Sequence, residues 1–216
     1  MLATAPEILF DGPAGAPVTL ALAHGAGAPM ESPFMTTFAA GLAGRSHGRW
    51  RIARFEFPFM AARRAGGRKR PPDTQAKLLD AWRAVIAALG AKRLAVGGKS
   101  LGGRMASMVA DEAGVRGLVC LGYPFHPPGK PEHLRVAHLT ALNTPTLIVQ
   151  GTRDPLGRFE EIVGYALSPC IRLHWVNGAG HDLIPPKSSG QSAEQAWGDA
   201  MDAIADFLTG LEGAEG

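Results

Sequence analysis

The stretch LAVGGKSLGGRMA at 94–106 constrains the fold more than any other part of the chain. A short apolar run, Leu94, Ala95 and Val96, meets two glycines, then Ser100, then two more glycines and a helix-like run. This reads as a strand, a sharp turn and a helix, with Gly98-Lys99-Ser100-Leu101-Gly102 at the corner. Such a turn holds the serine backbone in a strained conformation and points its hydroxyl away from the sheet. Glycine is needed on both sides, because a side chain there would collide with the neighbouring strand or helix. The pentapeptide alone does not separate this corner from an ordinary loop; its context must.

That context is an alternation of short apolar runs with helical segments. Strands are expected at 7–10, 18–24, 50–57, 93–97, 115–122, 146–151 and 171–176. Most are continuously apolar, as expected for strands buried on both faces of a parallel sheet covered by helices. The clearest helix is 74–89, where Leu78, Trp82, Val85 and Leu89 share one face and Asp73 stands as N-cap. A last helix at 192–208 repeats the pattern with Trp197, Met201, Ile204 and Leu208, and Gly210 is expected to end it. The class is therefore α/β, a mostly parallel sheet with helices on both faces and right-handed crossovers. With 216 residues, 46% of them hydrophobic, the chain suits one domain over 1–211, with 212–216 a frayed tail.

No apolar run approaches bilayer length and the start lacks a secretory pattern, so a cytoplasmic location without membrane association is expected. Cys120 and Cys170 make no disulfide framework, and Cys120 reads as packing in a buried strand. Net charge is only +3, yet Arg45, Arg49, Arg51, Arg54, Arg63, Arg64, Arg68, Lys69 and Arg70 crowd one segment, opposed locally only by Glu56. That segment is either a solvated strand edge with a basic loop or a surface that attracts an anion. No nucleic-acid partner is expected, since no binding motif or interleaved aromatic run accompanies the charge.

In open parallel sheets ligands bind beyond the carboxyl ends of the strands. Ser100 lies there, and so do an acid and a histidine that follow it in chain order. Asp154 follows strand 146–151 in Thr152-Arg153-Asp154-Pro155, and the preceding strand end, Gly122-Tyr123-Pro124-Phe125-His126, carries no carboxylate. His181 lies in the glycine-rich loop after strand 171–176. Asp182 is its neighbour, but adjacent side chains diverge, so Asp154 is the expected partner. A serine needs a base within hydrogen-bond reach and the base needs an orienting carboxylate. Two backbone donors should hold the oxyanion: Leu101, at the start of a helix, and Ala26, with Gly27 as the alternative, in the loop His24-Gly25-Ala26-Gly27-Ala28-Pro29. His24 reads as a brace for that loop. No histidine or cysteine cluster has metal-ligand spacing, so neither metal nor cofactor is expected.

These stretches resemble an α/β hydrolase of the compact dienelactone-hydrolase-like kind. More narrowly, the chain resembles the KANL3/Tex30 hydrolase-like family. The matching segments are AHGAGAPMESPFM (23–35), RFEFPFM (54–60), RPP (70–72), GGKSLGGRMAS (97–107), CLGYPFHPPGKPEHLRVAHL (120–139), QGTRDPLG (150–157) and GHDL (180–183). The resemblance implies an α/β-hydrolase fold with nucleophile Ser100, acid Asp154 and base His181, and it implies no particular substrate. Some relatives belong to larger nuclear assemblies. Two functions follow: a serine hydrolase of small esters or thioesters, or a non-catalytic interaction module on the same fold. Lys99, Arg104, Tyr123 and His126, with Arg54, Arg63 and Arg70, would line the cleft mouth and favour an anionic substrate. No large cap is expected; loops 61–72 and 125–131 would roof the cleft. Whether the protein self-associates is left open.

Overall fold

The computed structural model describes residues 6–68 and 70–212. Seven strands form one sheet: β1 (Ile8–Asp11), β2 (Val18–Ala23), β3 (Trp50–Phe55), β4 (Leu94–Lys99), β5 (Gly117–Leu121), β6 (Thr146–Gly151) and β7 (Ile171–Val176). Their spatial order is β1-β3-β2-β4-β5-β6-β7, and only the edge strand β1 runs antiparallel to its neighbour. All seven expected strands are present, with ends shifted by one or two residues. β4 runs on through Gly98 to Lys99, which brings the strand up to the serine.

Helices α1 (Pro33–Arg45) and α7 (Ala193–Glu212) cover one face of the sheet. Helices α2 (Pro58–Arg64), α3 (Gln75–Leu89), α4 (Leu101–Ser107) and α5 (Ala110–Ala113) cover the other, and a short α6 (Phe159–Ile162) follows β6. Strand periodicity divides the core. Leu20 and Leu22 of β2 pack toward α1 and α7, while Ala21 and Ala23 pack toward α3 and α4. Trp82 of α3 is fully buried and donates its indole N–H to the Gly102 carbonyl at 3.3 Å. That contact ties α3 to the first turn of α4, the helix that leaves the serine corner.

Four expectations need correction. Thr74, not Asp73, caps α3, without a side-chain cap hydrogen bond; the helix begins at Gln75, so Asp73 stands one residue before the position from which a side chain can reach the first free N–H groups. Gly210 does not end α7, which continues to Glu212. Arg116 donates to the Leu211 carbonyl at 3.0 Å, and the Leu211 side chain fills the space above Gly117, so tertiary contacts carry the helix past the glycine. The start of the expected loop 61–72 is helical, as the end of α2. Finally, acids distant in sequence pair with three of the basic residues: Arg45 with Asp202, Arg54 with Asp11, and Arg64 with Glu7 in addition to the local Glu56. Lys69 and residues 213–216, most of the expected tail, lie outside the described residues. Among the described residues no helix is long and apolar enough to cross a membrane, and no large cap is inserted between the strands.

Candidate active site

Ser100 stands between β4 and α4 with φ 51° and ψ −112°, a backbone conformation that side-chain-bearing residues rarely adopt. Its N–H donates to the Leu121 carbonyl at 2.9 Å, so the strained corner is pinned to the neighbouring strand. The flanking glycines have the expected steric cause. A Cβ on Gly98 would stand 2.2 Å from the Ala23 carbonyl oxygen, and one on Gly102 would stand 2.3 Å from the same atom. The loop after β2 therefore passes directly over the serine corner.

Three side chains remote in sequence join at this edge. His181 Nε2 lies 2.9 Å from Ser100 Oγ, and its Nδ1 lies 2.7 Å from Asp154 Oδ2. A carboxylate only accepts, so Nδ1–H donates to Asp154, which leaves Nε2 bare toward the serine hydroxyl. Asp154 is fully buried. Its Oδ1 accepts from the Leu156 N–H at 2.9 Å, and its Oδ2 also accepts from Gln150 Nε2 at 3.0 Å. Asp182 turns away from the imidazole and pairs with Lys99 at 3.3 Å. The preference for Asp154 over Asp182 as partner agrees with this geometry.

Gln150 was not singled out from the sequence. It is the only amide in the apolar run TLIVQG and is fully buried. Its Oε1 accepts the Tyr123 N–H at 2.7 Å, while Nε2 lies within hydrogen-bond distance of Asp154 and of the Tyr123 and Gly157 carbonyls. A lone buried amide at a strand's carboxyl end is the signal that could have identified it.

A cleft of about 370 Å³ opens at the serine. It is bordered by residues 25–28, Ser32, Phe34, Met35, Lys99, Ser100, His181 and Asp182. Ala26 is exposed there, and Leu101 begins α4, where its N–H has no partner within the helix. The loop carrying Ala26 is braced from below. His24 is fully buried; its Nδ1–H donates to the Gly25 carbonyl at 2.6 Å, and its Nε2 accepts the Phe57 N–H at 3.1 Å. Burial holds the His24 imidazole below the ordinary histidine range. Met30 is gripped at both ends, its N–H by Glu56 at 3.3 Å and its carbonyl by Arg54 at 2.9 Å.

Most of the expected cationic mouth is elsewhere. Tyr123 is fully buried, its hydroxyl donating to the Arg135 carbonyl at 3.0 Å. His126 is buried against Glu161 at 3.2 Å and the Pro127 carbonyl at 2.9 Å. Arg104 reaches Gln75 at 3.2 Å on the α3 side. Arg54 is buried beneath the loop rather than in the cleft. Of the four residues proposed for substrate contact, only Lys99 borders the cleft. The start of α1 borders it through Phe34 and Met35, and no described residue of loops 61–72 and 125–131, the expected roof, does so.

Comparison with known proteins agrees with this architecture. A family model described as an alpha/beta hydrolase domain matches residues 16–209. An alpha-beta serine hydrolase homologue from Coxiella burnetii is 22% identical, with TM-score 0.64, covering 82% of this chain and 83% of that one. A lid-less serine hydrolase from Xanthomonas campestris is 16% identical, with TM-score 0.66, covering 94% and 87%. Est1E from Butyrivibrio proteoclasticus is 14% identical, with TM-score 0.68, covering 95% and 94%. At these identities the solved structures speak for the fold.

Proposed function

The chain belongs to the alpha/beta hydrolase family, and from that premise we propose that it is a serine hydrolase of small carboxylic esters or thioesters. One observation carries the reading: an unbroken hydrogen-bonded chain from Ser100 through His181 to buried Asp154, opening on a cleft. His181 Nε2 takes the Ser100 proton as Oγ attacks the carbonyl carbon. The Leu101 and Ala26 amides receive the oxyanion. His181 then protonates the departing alkoxide or thiolate, which leaves an acyl-serine. Water, deprotonated by the same nitrogen, attacks that acyl group and frees the carboxylic acid and Ser100. Asp154 keeps Nδ1 protonated and stabilises the imidazolium.

The cleft lies near the lower end of the range for small-molecule sites, about 300–1,000 Å³, which favours a short acyl group. Two unpaired cysteines, Cys120 and Cys170, suit a reducing compartment such as the cytoplasm. The segments at 97–107 and 120–139 support a narrower kinship with the KANL3/Tex30 hydrolase-like family. A non-catalytic interaction module is the weaker reading, because such a scaffold has no need of an aligned serine, imidazole and carboxylate.

The test is covalent labelling by a fluorophosphonate, run beside turnover of p-nitrophenyl esters, acyl-CoA thioesters and lactones. Wild type should label and Ser100→Ala should not. Asp154→Asn should remain folded and lose about 1,000- to 10,000-fold in kcat, because the imidazole then favours the wrong tautomer. Folded wild-type protein that takes no label would falsify the enzyme reading.

A further inference from the structure

Lys99 precedes the nucleophile, yet its side chain reaches the base. It is the last residue of β4 and is only 7% exposed, rare for a lysine. Its Nζ donates to the His181 carbonyl at 2.7 Å and pairs with Asp182 at 3.3 Å. It also sits 5.5 Å from the centre of the Phe34 ring, on the cleft wall. The chain is drawn tight here. A Cβ on Gly122 would meet the His181 carbonyl oxygen at 2.7 Å, Lys99 Nζ at 3.3 Å and His181 Nδ1 at 3.4 Å. Only a glycine lets the ammonium and the histidine loop close over the end of β5.

We propose that Lys99 is a positioning residue: it ties the main chain of the base to the strand that carries the nucleophile. The inference rests on the hydrolase reading and deepens it. Through the bond to its carbonyl, His181 is held to the residue next to Ser100, so base and nucleophile move together. The other charged groups facing this loop are Asp154, after β6, and Asp182, beside His181 in the chain. From α1 Phe34 packs against Lys99, and from α7 the uncharged Trp197 N–H donates to the Asp182 carbonyl at 2.9 Å. Burial lowers the proton affinity of Lys99, while Asp182 and Asp154 act in the opposite direction.

The deciding experiment is the rate of fluorophosphonate labelling at pH 7.5 for wild type, Lys99→Met and Lys99→Arg, with the melting temperature of each. Lys99→Met removes the donor to the His181 carbonyl, so its labelling rate should fall about tenfold as the tether is lost. Lys99→Arg keeps a long side chain that ends in N–H donors and should recover about threefold of that loss. The melting temperature of Lys99→Met should equal or exceed that of wild type, since a desolvated charge is gone. Should Lys99→Met fold poorly, Lys99→Gln provides the same neutral comparison. A labelling rate in the neutral variant within about twofold of wild type, or no recovery in Lys99→Arg, overturns the role of Lys99 and leaves the hydrolase reading intact. Wild type that never labels overturns both.

Discussion

Two loops that serve the site around Ser100 are held by different chemistry. The loop carrying Asp154 is fastened by a neutral amide, Gln150, and by backbone N–H groups. The loop carrying Ala26 is fastened by groups that titrate or carry charge: His24, Glu56 and Arg54. Both supports are buried. The support of Asp154 should therefore be indifferent to pH over the physiological range, while the loop carrying Ala26 should be the acid-sensitive half of the site. The His24 bonds give the reason. Its two partners, the Gly25 carbonyl and the Phe57 N–H, are satisfied by one neutral tautomer. A proton added at Nε2 would face the Phe57 N–H, donor against donor.

The largest effect should come from the neutral side. Gln150→Leu removes the amide donor to Asp154 and strands the buried Tyr123 N–H. We expect kcat to fall about 10- to 100-fold with little change in KM, and unfolding free energy to fall by about 1–3 kcal/mol. Steady-state kinetics with denaturant melts measures both. A variant with unchanged kcat would mean that backbone N–H groups alone orient the acid.

The next effect sharpens the contrast in pH. Because folding lowers the proton affinity of His24, the folded state binds fewer protons than the unfolded chain just below the ordinary histidine value. Stability from this group is then fully present above about pH 6.5 and is lost as pH falls, by at most about 1.4 kcal/mol per pH unit. His138 and His174 are shifted in the same direction by burial, so the measurement is the difference between wild type and His24→Gln. The variant should be less stable at pH 7.5, and its loss of stability between pH 6.5 and 5 should be shallower. Parallel curves would assign the acid sensitivity to the other two histidines.

The smallest effect concerns the residues outside the cleft. His126→Ala and Arg104→Met should change KM less than about twofold for both a neutral ester and one bearing a terminal carboxylate, since neither side chain borders the cleft. A selective loss for the carboxylate ester would restore the cationic mouth and place its residues nearer the substrate than the free protein has them.

The legible parts of this site are those with local causes. A glycine-flanked serine between an apolar run and a helix has few other uses, and acid and histidine at later strand ends follow from the order of a parallel sheet. The corrections have distant causes. Asp11, Glu7 and Asp202 were invisible as partners of the basic segment because 43 or more residues separate each from its arginine. Tyr123 and His126 look like surface residues in a proline-rich run, but the packing around Phe125 turns them inward.

The amino-acid order by itself determined the sheet, the strained serine corner and the strand ends from which a carboxylate and an imidazole reach toward it. Periodicity, turn sterics and chain order act within a few residues or through topology. Only the folded chain decided which charges meet, what supports Asp154 and His24, and where Lys99 reaches. Hydrogen bonds and desolvation depend on distances of about 3 Å between atoms, and those distances exist only once the layers have packed.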